Sequence, residues 1–204
     1  MGTLTTTALL GGTGRFKHQN SSWAAARGAA TATENFGSYE INAEHFAGTW
    51  YIQRIHLPFN ETSLIPVGST IDSVVLNFNA NYEGGYLNTV AHLVESTQSS
   101  TGSRDADDYN NFNFVSGGSV AISDLLSTAK SITGNATAKG WIVIGGTTKL
   151  GVLASRDQSN TDPNGTFSEW ASLGSFELVV GYTTPGGVAK TLRMNQAVNR
   201  ASTY

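Results

Sequence analysis

Apolar and polar side chains alternate with a period of two through much of the middle of the chain. In "TIDSVVLNFNA" (Thr70 to Ala80), Val74, Leu76 and Phe78 share one face. Ser73, Asn77 and Asn79 share the other, with Val75 the one apolar exception there. A half-buried strand has this pattern, because successive side chains point to opposite sides of a sheet. "WYIQRIHLPF" (Trp50 to Phe59) is equally rich in β-branched and aromatic residues, which pack well on a pleated surface. Its faces separate into Ile52, Arg54 and His56 against Ile55, Leu57 and Phe59. Arg54 therefore sits on the less apolar face. Between the two runs, "NETSLIPVGS" supplies turn chemistry through Asn60, Pro66 and Gly68.

The same reading predicts a strand in "LNTVAHLVES", with His92 near its middle, and another at the start of "GSVAISDLL". It predicts two strands in "GWIVIGGTTKLGVLASRD", broken at Gly145 and Gly146, and two in "FSEWASLGSFELVVGYTT". The one helix candidate is "NSSWAAARGAATAT". An Asn or Ser caps it, and Gly28 with the threonines beyond cuts it short. Short strands punctuated by Gly, Asn and Pro, with no long helix between them, predict an all-β domain. The expected architecture is an antiparallel two-sheet β-sandwich of jelly-roll type with short N- and C-terminal arms. Residues 1–15 read as an arm or edge strand, 16–183 as the sandwich and 184–204 as a C-terminal arm. That last segment carries Lys190, Arg193 and Arg200 with no acid, a bias that would help it dock on a neighbouring subunit.

Composition narrows the function. At 204 residues the chain can bury a sizeable core as one domain. Charged residues are 13% of it, about half the usual share. The net charge of −3 leaves no basic footprint, so no nucleic-acid partner is expected. With no cysteine, disulfides, thiol catalysis and cysteine metal sites are excluded. No apolar run approaches the ~18 residues of a membrane span. The start, "MGTLTTTALLGGTGRF", lacks the basic and apolar regions of a signal peptide.

Candidate chemistry is sparse. His18, His45, His56 and His92 show no metal-ligand spacing, and no nucleophile elbow, P-loop or dinucleotide fingerprint occurs. No enzyme activity is expected. In "SRDADDYNNFNF", Asp105 and Asp107 are oxygen donors at alternate positions and the calcium candidate, with a second oxygen-rich loop at Asp157, Asp162 and Asn164. Turn-forming Asp and Asn chemistry accounts for the same residues. No other cofactor is implied. Among the aromatics, Trp170 and Tyr109 are the candidates for stacking on a glycan. Trp50 and Trp141 open apolar runs and read as packing.

Four segments in order, "SSWAAARGAATAT", "RIHLPFNETSLIPVGSTIDSVVLNF", "ADDYNNFNF" and "TTKLGVLASRD", carry a resemblance. They resemble the single-domain jelly-roll β-sandwich family, carbohydrate-binding-module-like and DNRLRE-like, that is common in phage virion and bacterial surface proteins. The chain departs from the family pattern at Asn60-Glu61, where one acid is usual, and at Leu153, where an arginine is often seen. The resemblance implies that Arg54 is a framework arginine held by a carboxylate or turn carbonyls. It places Asp157 at the family's acidic position. It further implies a non-enzymatic virion protein: a bacteriophage capsid decoration, cement or fibre accessory protein, made in the host cytoplasm and released by lysis. Such a protein would act as a homo-oligomer on capsid or other virion proteins. The alternative is a carbohydrate-binding module or adhesin on a phage or bacterial surface, with glycans as partners.

Overall fold

The computed structural model of the chain describes residues 2–8, 13–36, 39–84, 89–103, 105–123, 127–163 and 168–186. Eleven strands and three short helices occur among them, in the order β1 (Gly2–Thr7), β2 (Gly14–Asn20), α1 (Trp23–Arg27), β3 (Glu34–Phe36), β4 (Glu40–Phe46), β5 (Thr49–Phe59), β6 (Thr70–Gly84), β7 (Thr89–Ser96), β8 (Phe112–Ile122), β9 (Thr128–Thr133), α2 (Ala136–Gly140), β10 (Thr148–Ala154), α3 (Ser155–Ser159) and β11 (Ser168–Thr183).

The pairing is that of a jelly roll. β7 pairs with β8, β6 with β9, β5 with β10 and β4 with β11, all antiparallel. These nested pairs are the rungs of one long hairpin. Rolling that hairpin adds β10 to β7 and β11 to β6, which yields the halves β5-β10-β7-β8 and β4-β11-β6-β9. The expected all-β sandwich is thus the architecture found.

Two strands carry the corner between the halves. β2 lies along Trp50 to His56 of β5. The opposite edge of β5 is therefore shared by β4, on Thr49 to Gln53, and β10, on Ile55 to Phe59. β11 likewise keeps β6 along one edge and divides the other between β4 and β1. Residues 2–7 are thus an edge strand and not an extended arm, and 14–20 belong to the sandwich. Residues 187–204, with Lys190, Arg193 and Arg200, lie outside the described residues.

Between the halves lies the main core, where Val74, Leu76 and Phe78 meet Ile55, Leu57 and Phe59, as their alternation requires. A second, smaller apolar cluster of Val94, Phe112 and Leu153 lies apart from it, with Phe114 packed alongside. Gly151 makes that cluster possible. A Cβ there would stand 2.3 Å from Cε1 of Phe112 and 2.9 Å from the Ile55 carbonyl.

Three local expectations change. "WIVI" is not a strand. Asn135 accepts from the amides of Thr137 and Ala138 and so starts α2. Trp141 then packs over Gly117, whose missing Cβ leaves the room. "FSEWASLGSFELVVGYTT" forms one long strand, β11, with a register shift between Gly174 and Glu177. The apparent break is a bulge, with Ser175 at φ 56°. "ASRD" ends in α3, not in strand.

Candidate functional site

Two polar clusters stand out, one around Arg54 and one in a row across five strands. The buried cluster gathers segments that are far apart in the chain. β5 presents Arg54, and α1, capped by the Ser22 hydroxyl on the Ala25 amide, presents Arg27. The turn after Asp108 presents Tyr109 and Asn110, and α3 presents Asp157.

Arg54 is fully buried. Its Nε donates to Asp157 Oδ2 at 2.7 Å. One terminal nitrogen donates to Asp157 Oδ1 at 2.8 Å and to the Arg27 carbonyl at 2.9 Å. The other donates to the Tyr109 carbonyl at 3.1 Å and to Asn110 Oδ1 at 3.0 Å. An arginine has five N–H donors in a rigid fork, and all five are used. Burial pulls the Arg54 guanidinium pKa down, but Asp157 more than offsets this and leaves it above the ordinary value. Arg27 is lowered, by burial first, with Asp157 opposing. Its Nε donates to the Asp157 carbonyl at 2.9 Å, and its guanidinium lies 4.2 Å over the Phe114 ring. This cluster clamps four segments together, and Arg54 has no donor to spare for a ligand.

Tyr109, the second glycan candidate, belongs to this clamp and cannot stack on a sugar. It is fully buried, its ring lies 4.3 Å under the Arg54 guanidinium, and its hydroxyl donates to the Ala26 carbonyl at 2.9 Å. Burial raises its pKa far above the ordinary phenol value. The sequence misleads here because "DDYNN" reads as a polar loop, while the fold turns that loop inward over β5.

His56 is adjacent, stacked on Phe112 at 4.0 Å and edge-on to Phe16 at 4.8 Å. Its Nε2 donates to the Asp108 carbonyl at 3.0 Å, so Nδ1 accepts from the Ser96 hydroxyl at 2.6 Å. Serine, histidine and aspartate in one cluster would suggest a hydrolase, but the geometry opposes it. The aspartate offers a backbone carbonyl, not its carboxylate, and the histidine is fully buried. Burial lowers its pKa to about 3, too weak a base to activate a hydroxyl near neutral pH.

The Asp108 carboxylate faces inward. Its Oδ1 accepts from the Ser99 amide and hydroxyl and from Asn111 Nδ2. Asp105 and Asp107, just before it in the chain, are exposed. Among the described residues no group of three or more His, Asp or Glu side chains is placed to hold a metal ion. His56 and His92 do not meet: His56 faces Gly151 and His92 faces Leu153 across the ladder. His92 instead holds the Ser116 hydroxyl at 2.9 Å.

The second cluster lies where β11, β4, β5, β2 and β3 run side by side. Trp170 pairs with Asn42, Asn42 with Gln53, Gln53 with Lys17 and Lys17 with Glu34. Cross-strand partners project to the same side, so these residues form one row across five strands. The neighbouring row runs through Glu44, Tyr51 and Gln19. Ile41, Ala43 and Ala171, on the opposite side of β4 and β11, enter the main core. The row shares the β5 face of Ile55, Leu57 and Phe59 and continues it towards the start of the strand, where Tyr51 and Lys17 are half-buried and Gln19 and Glu34 exposed.

It is a recessed face: Asn42 is 3% and Gln53 7% exposed, while Trp170 is half-buried. Arg15 is bonded to Glu40, Lys17 donates to Glu34 at 3.2 Å, and Asn42 Nδ2 donates to Glu44 Oε2 at 3.2 Å. The buried side-chain atoms with no hydrogen-bond partner include Asn42 Oδ1 and the Trp170 indole N–H, on residues paired across β4 and β11. Of this strip, sequence inspection singled out only Trp170. Asn42, Gln53, Arg15 and Lys17 lie on strands whose alternation is visible, but nothing local says that they align.

Fold and topology define the chain as a jelly-roll β-sandwich. No family model and no curated protein matches it. Among solved structures the chain is similar to a xylan-binding module, CBM15, at TM-score 0.39 and 8% identity, over 87% of this chain and 95% of that one. At that distance the likeness assigns neither ligand nor residues. The phage part of the family resemblance finds no support in these comparisons. No helix among the described residues is long and apolar enough to cross a membrane.

Proposed function

We propose that the chain is a non-catalytic recognition module that binds glycans on the strip around Trp170. One observation carries this reading. A half-buried tryptophan stands in a row with the planar amides of Asn42 and Gln53, beside the Arg15–Glu40 pair, on a recessed sheet face. Sugars present apolar C–H faces ringed by hydroxyls, so an aromatic ring beside amides and carboxylates is the complementary surface. Two titratable groups displaced far from their ordinary pKa, His56 and Tyr109, are enclosed and hydrogen-bonded within the framework, which favours recognition over catalysis. The virion reading rests on the family resemblance, and no geometry favours it over the glycan one.

The test is affinity electrophoresis and a glycan array with the purified full-length chain, repeated for Trp170→Ala. Loss of the ring is expected to weaken binding by roughly 5- to 30-fold, the equivalent of ~1–2 kcal/mol for a stacked aromatic. Lack of retention by every glycan would sink the proposal. So would binding that Trp170→Ala leaves unchanged.

A further inference from the structure

We infer that the apolar end of the sandwich formed by Leu64, Val67 and Val143 is the docking surface for the chain's own C-terminal segment, engaged through Val188, Leu192 and Met194. Single exposed apolar side chains are ordinary on a protein surface, whereas a contiguous group marks a contact. Val67 is 82%, Leu64 49% and Val143 47% exposed, and they stand on two loops that touch. A Cβ on Gly145 would lie 3.5 Å from Val67 Cγ2, and one on Gly146 only 2.8 Å from Val143 Cγ1. Hydrogen bonds pin both loops: the Thr62 hydroxyl reaches the Gly146 carbonyl at 2.7 Å, and the Val143 amide donates to the Thr148 hydroxyl at 2.9 Å. Val67 and Gly68 form the tip of a tight turn closed by the Ser69 amide on the Pro66 carbonyl, with Gly68 at φ 83°. Turn tips favour glycine, proline and small polar residues, so a valine held there presents its methyl groups outward.

The chain itself leaves the sandwich at this surface. Thr183, the last residue of β11, donates its hydroxyl to Asp72 at 2.7 Å. Pro185 follows, and a Cβ on Gly68 would lie 3.0 Å from its Cγ. Gly186, at φ 88°, ends the described residues. Val188, Leu192 and Met194 come early in the segment beyond it. From Gly186 to Leu192 an extended chain reaches ~20 Å, enough to cross two touching loops. A short tether also holds the segment near this surface at an effective concentration on the order of mM, which favours it over the same segment of a second copy. Charge agrees with the fit. Lys190, Arg193 and Arg200 have no acid among them, while the Asp72 carboxylate stands beside Thr183 and Glu61 opens the short turn that carries Leu64. Trp170 lies near the other end of β11 from Thr183, so the docking surface is separate from the glycan strip and does not depend on it.

The experiment uses the full chain in two arms. The sequence has no cysteine, so a Val67→Cys/Leu192→Cys pair reports only on its own meeting. Under mild oxidation this variant is expected to form an intrachain disulfide roughly 10-fold faster than Phe46→Cys/Leu192→Cys, followed by mass and by mobility on non-reducing gels. Phe46 is exposed and pairs with Thr49, at the other end of β5 from Phe59, so it serves as the remote control. In the second arm, trypsin cleavage after Lys190 and Arg193 is timed by mass spectrometry. Val67→Ser/Val143→Ser and Leu192→Ser/Met194→Ser should each be cut there about 5- to 10-fold faster than wild type, as for the lost burial of two apolar side chains. Val67 and Val143 are exposed, so their replacement leaves the fold in place. Cleavage at the same rate in wild type and both variants overturns the inference. A Val67→Cys/Leu192→Cys disulfide that forms no faster than the control also overturns it. Disulfides formed mainly between chains would put the segment on a second copy and overturn docking within the chain.

Discussion

Replacing Arg54 with methionine should cost this protein a large part of its stability. Methionine fills much of the same volume but supplies none of the five donors. The Asp157 carboxylate, fully buried, would keep only Arg27, 3.4 Å away. The carbonyls of Arg27 and Tyr109 and the Asn110 side chain would lose their donors as well. Breaking a buried ion pair by removing one partner costs about 3–5 kcal/mol. For a domain of this size each kcal/mol shifts the melting temperature by ~2–4 °C, so the loss should be roughly 6–20 °C. Equilibrium urea unfolding followed by tryptophan fluorescence measures it directly. A paired control, Arg54→Met with Asp157→Leu, should recover part of the loss, because an apolar pair leaves no stranded charge. A loss below about 1 kcal/mol for Arg54→Met would refute the claim that this arginine clamps the four segments. So would a double variant as unstable as the sum of its singles.

Three further outcomes follow from the same geometry. His56 is held neutral with a pKa of about 3 in the fold, against about 6.5 in an unfolded chain. The unfolded chain takes up its proton first, so this stability is complete above about pH 6.5 and is lost as pH falls towards 3. Urea midpoints between those limits should change by up to ~1.4 kcal/mol per pH unit, and His56→Gln should flatten that slope whatever its absolute stability. Gly151→Ala drives a methyl group into Phe112 and the Ile55 carbonyl. It should cost about 1–3 kcal/mol, read by calorimetric melting, and no loss would show that the ring moves freely. The Thr62 hydroxyl contacts the carbonyls of Phe59 and Gly146 and accepts from the Thr148 amide. Thr62→Val should therefore lower stability by ~1–3 kcal/mol in the same assay.

Local pattern carried the class of the fold. Alternation assigned Val74, Leu76 and Phe78 to the core, and it put Arg54 and His56 opposite Ile55, Leu57 and Phe59, as the structure has them. Glycine, asparagine and proline marked the turns. The same alternation left β9 unseen, because Thr128–Thr133 is short and largely exposed, and it divided β11, because a bulge mimics a turn.

What periodicity cannot supply is which faces meet. Arg54 and Asp157 are 103 residues apart, as are two positions of any coil that never touch, and only the β5–β10 pairing brings α3 over β5. Tyr109 looked exposed because its neighbours are polar, and it is buried because those neighbours find partners beneath it. The row from Trp170 to Glu34 exists only after five strands take their register. A side chain's direction is set by its own backbone and can be read along the chain. Its neighbours across a sheet are set by pairings between distant strands, and a one-residue slip in any of them would point the row the other way.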